Sequence, residues 1–261
     1  MALWVRFERQ GLARFGTLEA DGETIRVHDG DMFDAPVPGS ELLKLGAVRL
    51  LAPTVPTQFI GLWNNFRELA QKLNQAIPEE PLYFIKAPGS VLEPGGIVRK
   101  PASYAGRVIY EGELGIVIGR RLRDASEDQA AAGIFGYTCV NDVTAIDLLN
   151  ADPSFAQWTR AKSCDTFGPF GPAVATGLDW SSLSVRTLVN GRERQNYPAA
   201  DMILAPARIV SLISRELTLF PGDVIACGTS SGALPMRPGT TVAVTIDGIG
   251  TLTNIFEAGK P

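Results

Sequence analysis

Three turn dipeptides, Asp21-Gly22, Asn190-Gly191 and Asp247-Gly248, constrain the fold of this chain more than any other feature. Asp-Gly and Asn-Gly readily adopt the positive φ angles that tight hairpins require at their central positions. Each adjoins short runs of β-forming residues: 12–19 and 24–28 around the first, 185–189 before the second, 241–246 and 250–255 around the third. Further strand-like runs cover 3–8, 109–119, 133–143 and 223–227, and another ends at Lys86. Helical spacing is confined to three places. Phe66, Leu69, Ala70 and Leu73 give it within 64–74, the pattern Ser126-Glu127-Asp128-Gln129 is a capping box before an Ala-rich stretch, and a third segment covers about 206–216. Strands outnumber helices and are joined mostly by turns, so a mainly β (α+β) fold is expected rather than alternating βαβ units. Residues 29–41 read as loop. Residues 150–172 read as a long irregular loop rich in polar and aromatic residues, a kind that is usually functional inside a compact domain.

The chain has 261 residues, 45% of them hydrophobic, enough for one sizeable core. Residues 1–52 are read as a small N-terminal β domain and 53–261 as the main domain. With 24 basic and 28 acidic residues and no basic run, a nucleic-acid partner is not expected. The opening MALWVRFERQ is strand-like and carries charge at positions 6, 8 and 9, unlike a signal peptide. The best apolar run, 203–213, is interrupted by Pro206 and Arg208, so no membrane span is expected. Three cysteines, at 139, 164 and 227, form no metal-type pair and leave an odd count, which suits a reduced, cytoplasmic protein.

The stretch Tyr110-Glu-Gly-Glu-Leu-Gly-Ile-Val-Ile118 sets two acids at the start of an apolar strand. Side chains two apart on a strand share a face, so Glu111 and Glu113 would lie together. On an exposed edge they would simply be solvated, but the apolar flank argues for burial. Two buried carboxylates stay ionised together only with a cation beside them. Asp142 also stands where an apolar strand turns polar, and it would complete an all-oxygen site. Such a donor set suits Mg²⁺, Mn²⁺ or Ca²⁺; without a nearby histidine or cysteine pair, zinc is not expected.

Five segments in order, YEGELGIVIGR, GYTCVNDVTAID, QWTRAKSCDTFGPFGP, PGDVIACGTSSG and VTIDGIGTLTN, resemble the fumarylacetoacetate hydrolase family over about 55–256. The region before them resembles the small N-terminal domain that many members carry. The resemblance implies a mixed β roll, a homodimer, and a divalent metal, normally Mg²⁺, on Glu111, Glu113 and Asp142. It implies a functional role for Lys162, in the K-S-x-D-T motif, as a carboxylate clamp or, with a lowered pKa, a proton shuttle. Thr229 matches a substrate-contacting position, Lys86 resembles the lysine of a KP segment, and Gln157 and Arg160 are further pocket candidates on the same loop.

The chain also departs from the hydrolytic members. Where they place a histidine and a glutamate on a short helical lid, the aligned positions are Leu69 and Lys72, and the single histidine of the chain is His28. Positions that often hold Arg and Gln after the metal aspartate are Ile146 and Leu149. General-base help to an attacking water is worth about 10²–10⁴-fold, and here its usual source is missing. Isomerisation or decarboxylation through an enolate needs no attacking water. The expected activity is therefore that of a metal-dependent isomerase or decarboxylase on a small 2-oxo or 2-hydroxydienoic carboxylic acid such as 2-hydroxyhepta-2,4-diene-1,7-dioate. The alternative is an acylpyruvate carbon–carbon hydrolase.

Overall fold

The structure, a computed structural model, describes residues 1–259. The chain opens with β1 (Ala2–Arg9), β2 (Leu12–Leu18), β3 (Thr24–Asp31), β4 (Asp34–Lys44) and the short β5 (Arg49–Leu50). Next come β6 (Phe59–Trp63), helix α1 (Arg67–Lys72), β7 (Leu82–Lys86), β8 (Val91–Leu92), β9 (Ile97–Lys100) and β10 (Val108–Ile109). The middle of the chain holds β11 (Gly112–Ile118), α2 (Glu127–Ala131), β12 (Ile134–Asn141), β13 (Thr144–Ala145), α3 (Ile146–Leu149) and α4 (Trp158–Lys162). The remainder is β14 (Gly168–Thr176), β15 (Ser184–Val189), β16 (Arg192–Pro198), α5 (Pro206–Glu216), β17 (Val224–Ala226), β18 (Thr240–Ile246) and β19 (Gly250–Ala258).

One large sheet runs in the order β4-β3-β2-β1-β14-β12-β11-β17-β6-β7, and a second runs β16-β15-β18-β19-β9. The first strand pairs antiparallel with β14, which joins the N-terminal strands to the main sheet. The mainly β fold is thus the one expected from the turns. The Asn190-Gly191 turn links β15 and β16 with both residues at positive φ, 49° and 76°, as its sequence requires.

Strand β11 is buried at every position because both of its faces are covered. Leu114, Ile116 and Ile118 enter the principal core, while Val117 packs with Phe59, Val140 and Phe170 on the other side. That burial on both faces explains the uninterrupted apolar run of its second half.

Four segments differ from the sequence reading. Residues 29–41 are not loop: β3 continues to Asp31 and β4 starts at Asp34. Pro36 and Pro38 disguised β4, and they are tolerated because it is the edge of the sheet, where an N–H need not be donated. Helix α1 is shorter than 64–74, bounded by Asn64 and Asn74 at φ +57° and +52°. The run 109–119 breaks before Gly112: Ile109 belongs to the separate β10–β13 ladder, and Tyr110 and Glu111 lie between the strands. The supposed loop 150–172 contains α4 and the start of β14.

Candidate functional site

The antiparallel pairing of β11 with β12 sets Gly112 opposite Asn141. Glu111, just before one strand, and Asp142, just after the other, therefore meet across the ladder, and the Asp142 N–H donates to the Glu111 carbonyl at 2.8 Å. Side-chain oxygens of Glu111, Glu113 and Asp142 all lie within 4.8 Å of one another. Glu113 accepts a 2.8 Å hydrogen bond from the Gly228 N–H just beyond β17, where φ of +90° turns that N–H toward the carboxylate. Gly112 separates the two glutamates because nothing larger fits: a Cβ there would stand 2.0 Å from Thr187 Oγ1.

Two buried lysines compensate the acids. Lys162, in the last turn of α4, donates to Asp142 Oδ2 at 2.6 Å and to Glu111 Oε2. Lys86, at the end of β7, donates to Asp142 Oδ1 at 2.6 Å and to the Lys162 carbonyl at 2.5 Å. Burial pushes the Glu113 carboxyl well above the usual carboxylate range, and repulsion by Asp142 and Glu111 adds to it. Burial likewise raises Glu111, against the pull of Lys162. For Asp142 burial acts upward too, yet Lys162 and Lys86 outweigh it and hold the group below its ordinary value. Burial lowers Lys86. It also opposes charge on Lys162, but Asp142, Glu111 and Glu113 prevail and hold that ammonium above the ordinary lysine range. The lysine lowered by burial is thus Lys86, whereas the three acids hold Lys162 as a cation.

Three carboxylates facing two ammonium groups leave a surplus of negative charge, and every acidic donor atom is an oxygen. A hard divalent cation fits this set, with Glu111, Glu113 and Asp142 as its holders.

Glu111, Glu113 and Lys162 line a cleft of about 300 Å³, with Asp142 and Lys86 behind them. Its other walls include Leu62, Leu69, Leu73, Ile146 and Leu149. Leu69 lines the cleft and also packs against the core. An aromatic wall completes it: Phe84 and Trp158 stack at 5.4 Å between centroids, Trp63 lies 5.8 Å from Trp158, and Lys162 Nζ sits 5.0 Å from the Phe84 ring centre.

The pocket candidates separate. Thr229 lines the cleft, but its hydroxyl donates to the Gly112 carbonyl at 3.0 Å and accepts from Gln195 at 2.8 Å. Beside it, the Oγ atoms of Ser230 and Ser231 are buried on the lining without hydrogen-bond partners among the described residues. They are the free hydroxyls of that wall, and their signal was the TSSG run itself. Lys86 is fully buried and lies beneath Asp142, not on the lining. Gln157 and Arg160 also lie off the lining. Trp158 and Lys162, four apart on α4, face inward, so the helical turn carries the residues between and before them elsewhere. His28 packs on β3 at 4.9 Å from the Trp4 ring, bonded to Thr17 at 3.0 Å, and is not among the residues of the cleft.

Comparison with known proteins agrees with this architecture. Residues 58–257 match the family profile described as fumarylacetoacetate (FAA) hydrolase C-terminal, and 3–53 match one described as Rv2993c-like, N-terminal. The chain is 36% identical to a 2-hydroxyhepta-2,4-diene-1,7-dioate isomerase from Mycobacterium marinum, with TM-score 0.90 and 100% of both chains covered. It is 37% identical to a 5-carboxymethyl-2-hydroxymuconate delta-isomerase from Mycobacterium smegmatis, with TM-score 0.90 over 99% of this chain and 100% of that one. Oxaloacetate tautomerase YisK from Bacillus subtilis is 37% identical over 83% of this chain and 75% of its own.

Proposed function

The chain belongs to the fumarylacetoacetate hydrolase family, and we propose that it is a divalent-metal-dependent enzyme that isomerises or decarboxylates a 2-oxo or 2-hydroxydienoic carboxylic acid through an enolate. The observation that carries this reading is the buried Lys162 ammonium, paired with Glu111 and Asp142 and lining, together with Glu111 and Glu113, a cleft that also has leucine and aromatic walls. The names of the similar isomerases and of the tautomerase point the same way.

A hard divalent ion, normally Mg²⁺ in this family, supplies Lewis-acid polarisation of a 2-oxo carboxylate when bound to the three acids. Lys162 adds fixed positive charge where an enolate oxygen develops. An ammonium group has three N–H donors; Glu111 and Asp142 take two, leaving one for the substrate. Lys86 keeps Asp142 aimed by occupying its other oxygen. Ser230 and Ser231 offer free hydroxyls for the substrate carboxylate. The leucines, Ile146 and the aromatic wall limit access of water, which disfavours hydrolysis of the enolate's precursor. In isomerisation, the enol O–H proton passes to solvent water at the cleft mouth as the carbonyl forms, and the Lys162 ammonium gives a proton to the far carbon of the former diene and regains one from solvent. In decarboxylation, the electrons of the breaking carbon–carbon bond enter the same enolate as CO₂ departs.

The test is a panel of 2-hydroxyhepta-2,4-diene-1,7-dioate, oxaloacetate and fumarylpyruvate with mass detection of products. Isomer or CO₂ is expected, dependent on Mg²⁺, abolished by chelation and lost in Glu113→Ala. Turnover that survives chelation, or cleavage of fumarylpyruvate into two acids as the main reaction, would overturn the proposal.

A further inference from the structure

Two ammonium groups line the cleft, Lys162 and Lys72. Lys162 is committed to Glu111 and Asp142. Lys72, in the last turn of α1, is exposed and has no ion-pair partner among the described residues. The rest of the lining is uncharged apart from Glu111 and Glu113: it includes the apolar Leu62, Leu69, Leu73, Ile146 and Leu149 and the neutral hydroxyls of Ser230 and Ser231.

Charge decides what each end of a ligand can meet. The buried cluster of Glu111, Glu113, Asp142, Lys86 and Lys162 carries one surplus negative charge when all five are ionised. A divalent cation there converts it to one surplus positive charge, and a single 2-oxo carboxylate cancels that. A second carboxylate on the same molecule finds no uncompensated cation at the acidic end. Resting unpaired against leucine and isoleucine side chains is unfavourable for an ionised group. The remaining cation on the lining is Lys72.

We propose that Lys72 is the specificity-determining residue of the cleft, receiving the distal carboxylate of a 2-oxo or 2-hydroxydienoic diacid. This rests on the function proposed above and narrows its substrate class from carboxylic acids to dicarboxylic acids. The same position explains why a lysine is useful on α1: a glutamate there would repel the ligand's far end.

Isothermal titration of the Mg²⁺-loaded protein with 2-oxoheptanedioate and with 2-oxoheptanoate tests it. The two differ only in a terminal carboxylate against a terminal methyl group. The parent protein is expected to bind the diacid roughly tenfold more tightly or better, the size of one charge-assisted contact. Lys72→Met and Lys72→Glu should remove that preference, Lys72→Arg should keep it, and added salt should weaken it in the parent. A parent without preference for the diacid, or a Lys72→Met variant that weakens both acids equally, overturns the inference. The two proposals fail separately. Lys72-dependent diacid binding without turnover leaves this one standing and removes the reaction. Turnover with a diacid preference unchanged in Lys72→Met does the reverse.

Discussion

Replacing Lys86 by methionine tests whether this lysine belongs to the frame of the site or to its substrate. Its Nζ reaches Asp142 at 2.6 Å and the Lys162 carbonyl at 2.5 Å, and its side chain is fully buried. Removing one member of a buried ion pair typically costs about 3–5 kcal/mol, because the other charge is left uncompensated. Two features move the expectation to the lower end: Asp142 keeps Lys162, and methionine fills most of the vacated space. A loss of about 3 kcal/mol in a chain of this size corresponds to a fall in Tm of roughly 6–12 °C. Scanning calorimetry of Lys86→Met, Asp142→Asn and the double variant, without added metal, gives the magnitude and the coupling. With no charge left at 142, the double variant should be less destabilised than the sum of the singles by at least about 1 kcal/mol. Manganese titration followed by electron paramagnetic resonance should show weaker ion binding in Lys86→Met, since Asp142 loses its anchor. A Tm within about 1 °C of the parent, together with a raised KM alone, would refute the reasoning and return Lys86 to the substrate pocket.

Two further outcomes are expected. Gly112→Ala should lower Tm and ion affinity together, because its methyl group would meet Thr187 Oγ1 at 2.0 Å; adding Thr187→Ala should restore part of both, as measured by calorimetry and manganese titration. Asp147, paired with Arg107 on the surface, has its carboxyl lowered to about 2 from 3.8, chiefly by the Arg107 side chain. A depressed folded value contributes stability that is present above the ordinary carboxylate range and is lost as pH falls from about 4 toward 2. Asp147→Asn should therefore flatten that part of an acid-unfolding curve, and an unchanged curve would count against the pair.

How far the site could be read from the sequence depended on how locally each residue announced itself. Glu111 and Glu113 share a face by strand parity alone, and Asp142 stands at a visible change from apolar to polar, so the acidic triad required no knowledge of tertiary contacts. The roles of the lysines did require it. Lys86 in IKAP reads as a loop lysine because solvation is the usual fate of that residue; only the meeting of β7 with β12 and α4 shows it buried under Asp142. The direction of the Lys162 shift followed from three acids brought together from two strand ends, which no local pattern weighs against burial. Trp63, Phe84 and Trp158 come from three separate elements, and their meeting in one wall had no sequence signal. Gln157 and Arg160 lie off the cleft lining because a segment read as loop holds a helical turn, whose phase turns Trp158 and Lys162 toward the cleft. For the fold, the hairpin dipeptides carried most of the information, whereas β4 was hidden by prolines whose tolerance depends on its place at the sheet edge.

The ladder contact between the Asp142 N–H and the Glu111 carbonyl has a consequence for how such a protein can change. The spacing of these two acids is the repeat of a buried antiparallel pair, so it survives any substitution that leaves strand register intact. Six residues that line the cleft, Leu69 and Lys72, Ile146 and Leu149, and Trp158 and Lys162, stand two by two on α1, α3 and α4, helices of six, four and five residues. Apart from Lys162, they can be exchanged at little risk to the sheet. A lineage built this way can trade one reaction for another by editing its rim while inheriting the acidic interior unaltered.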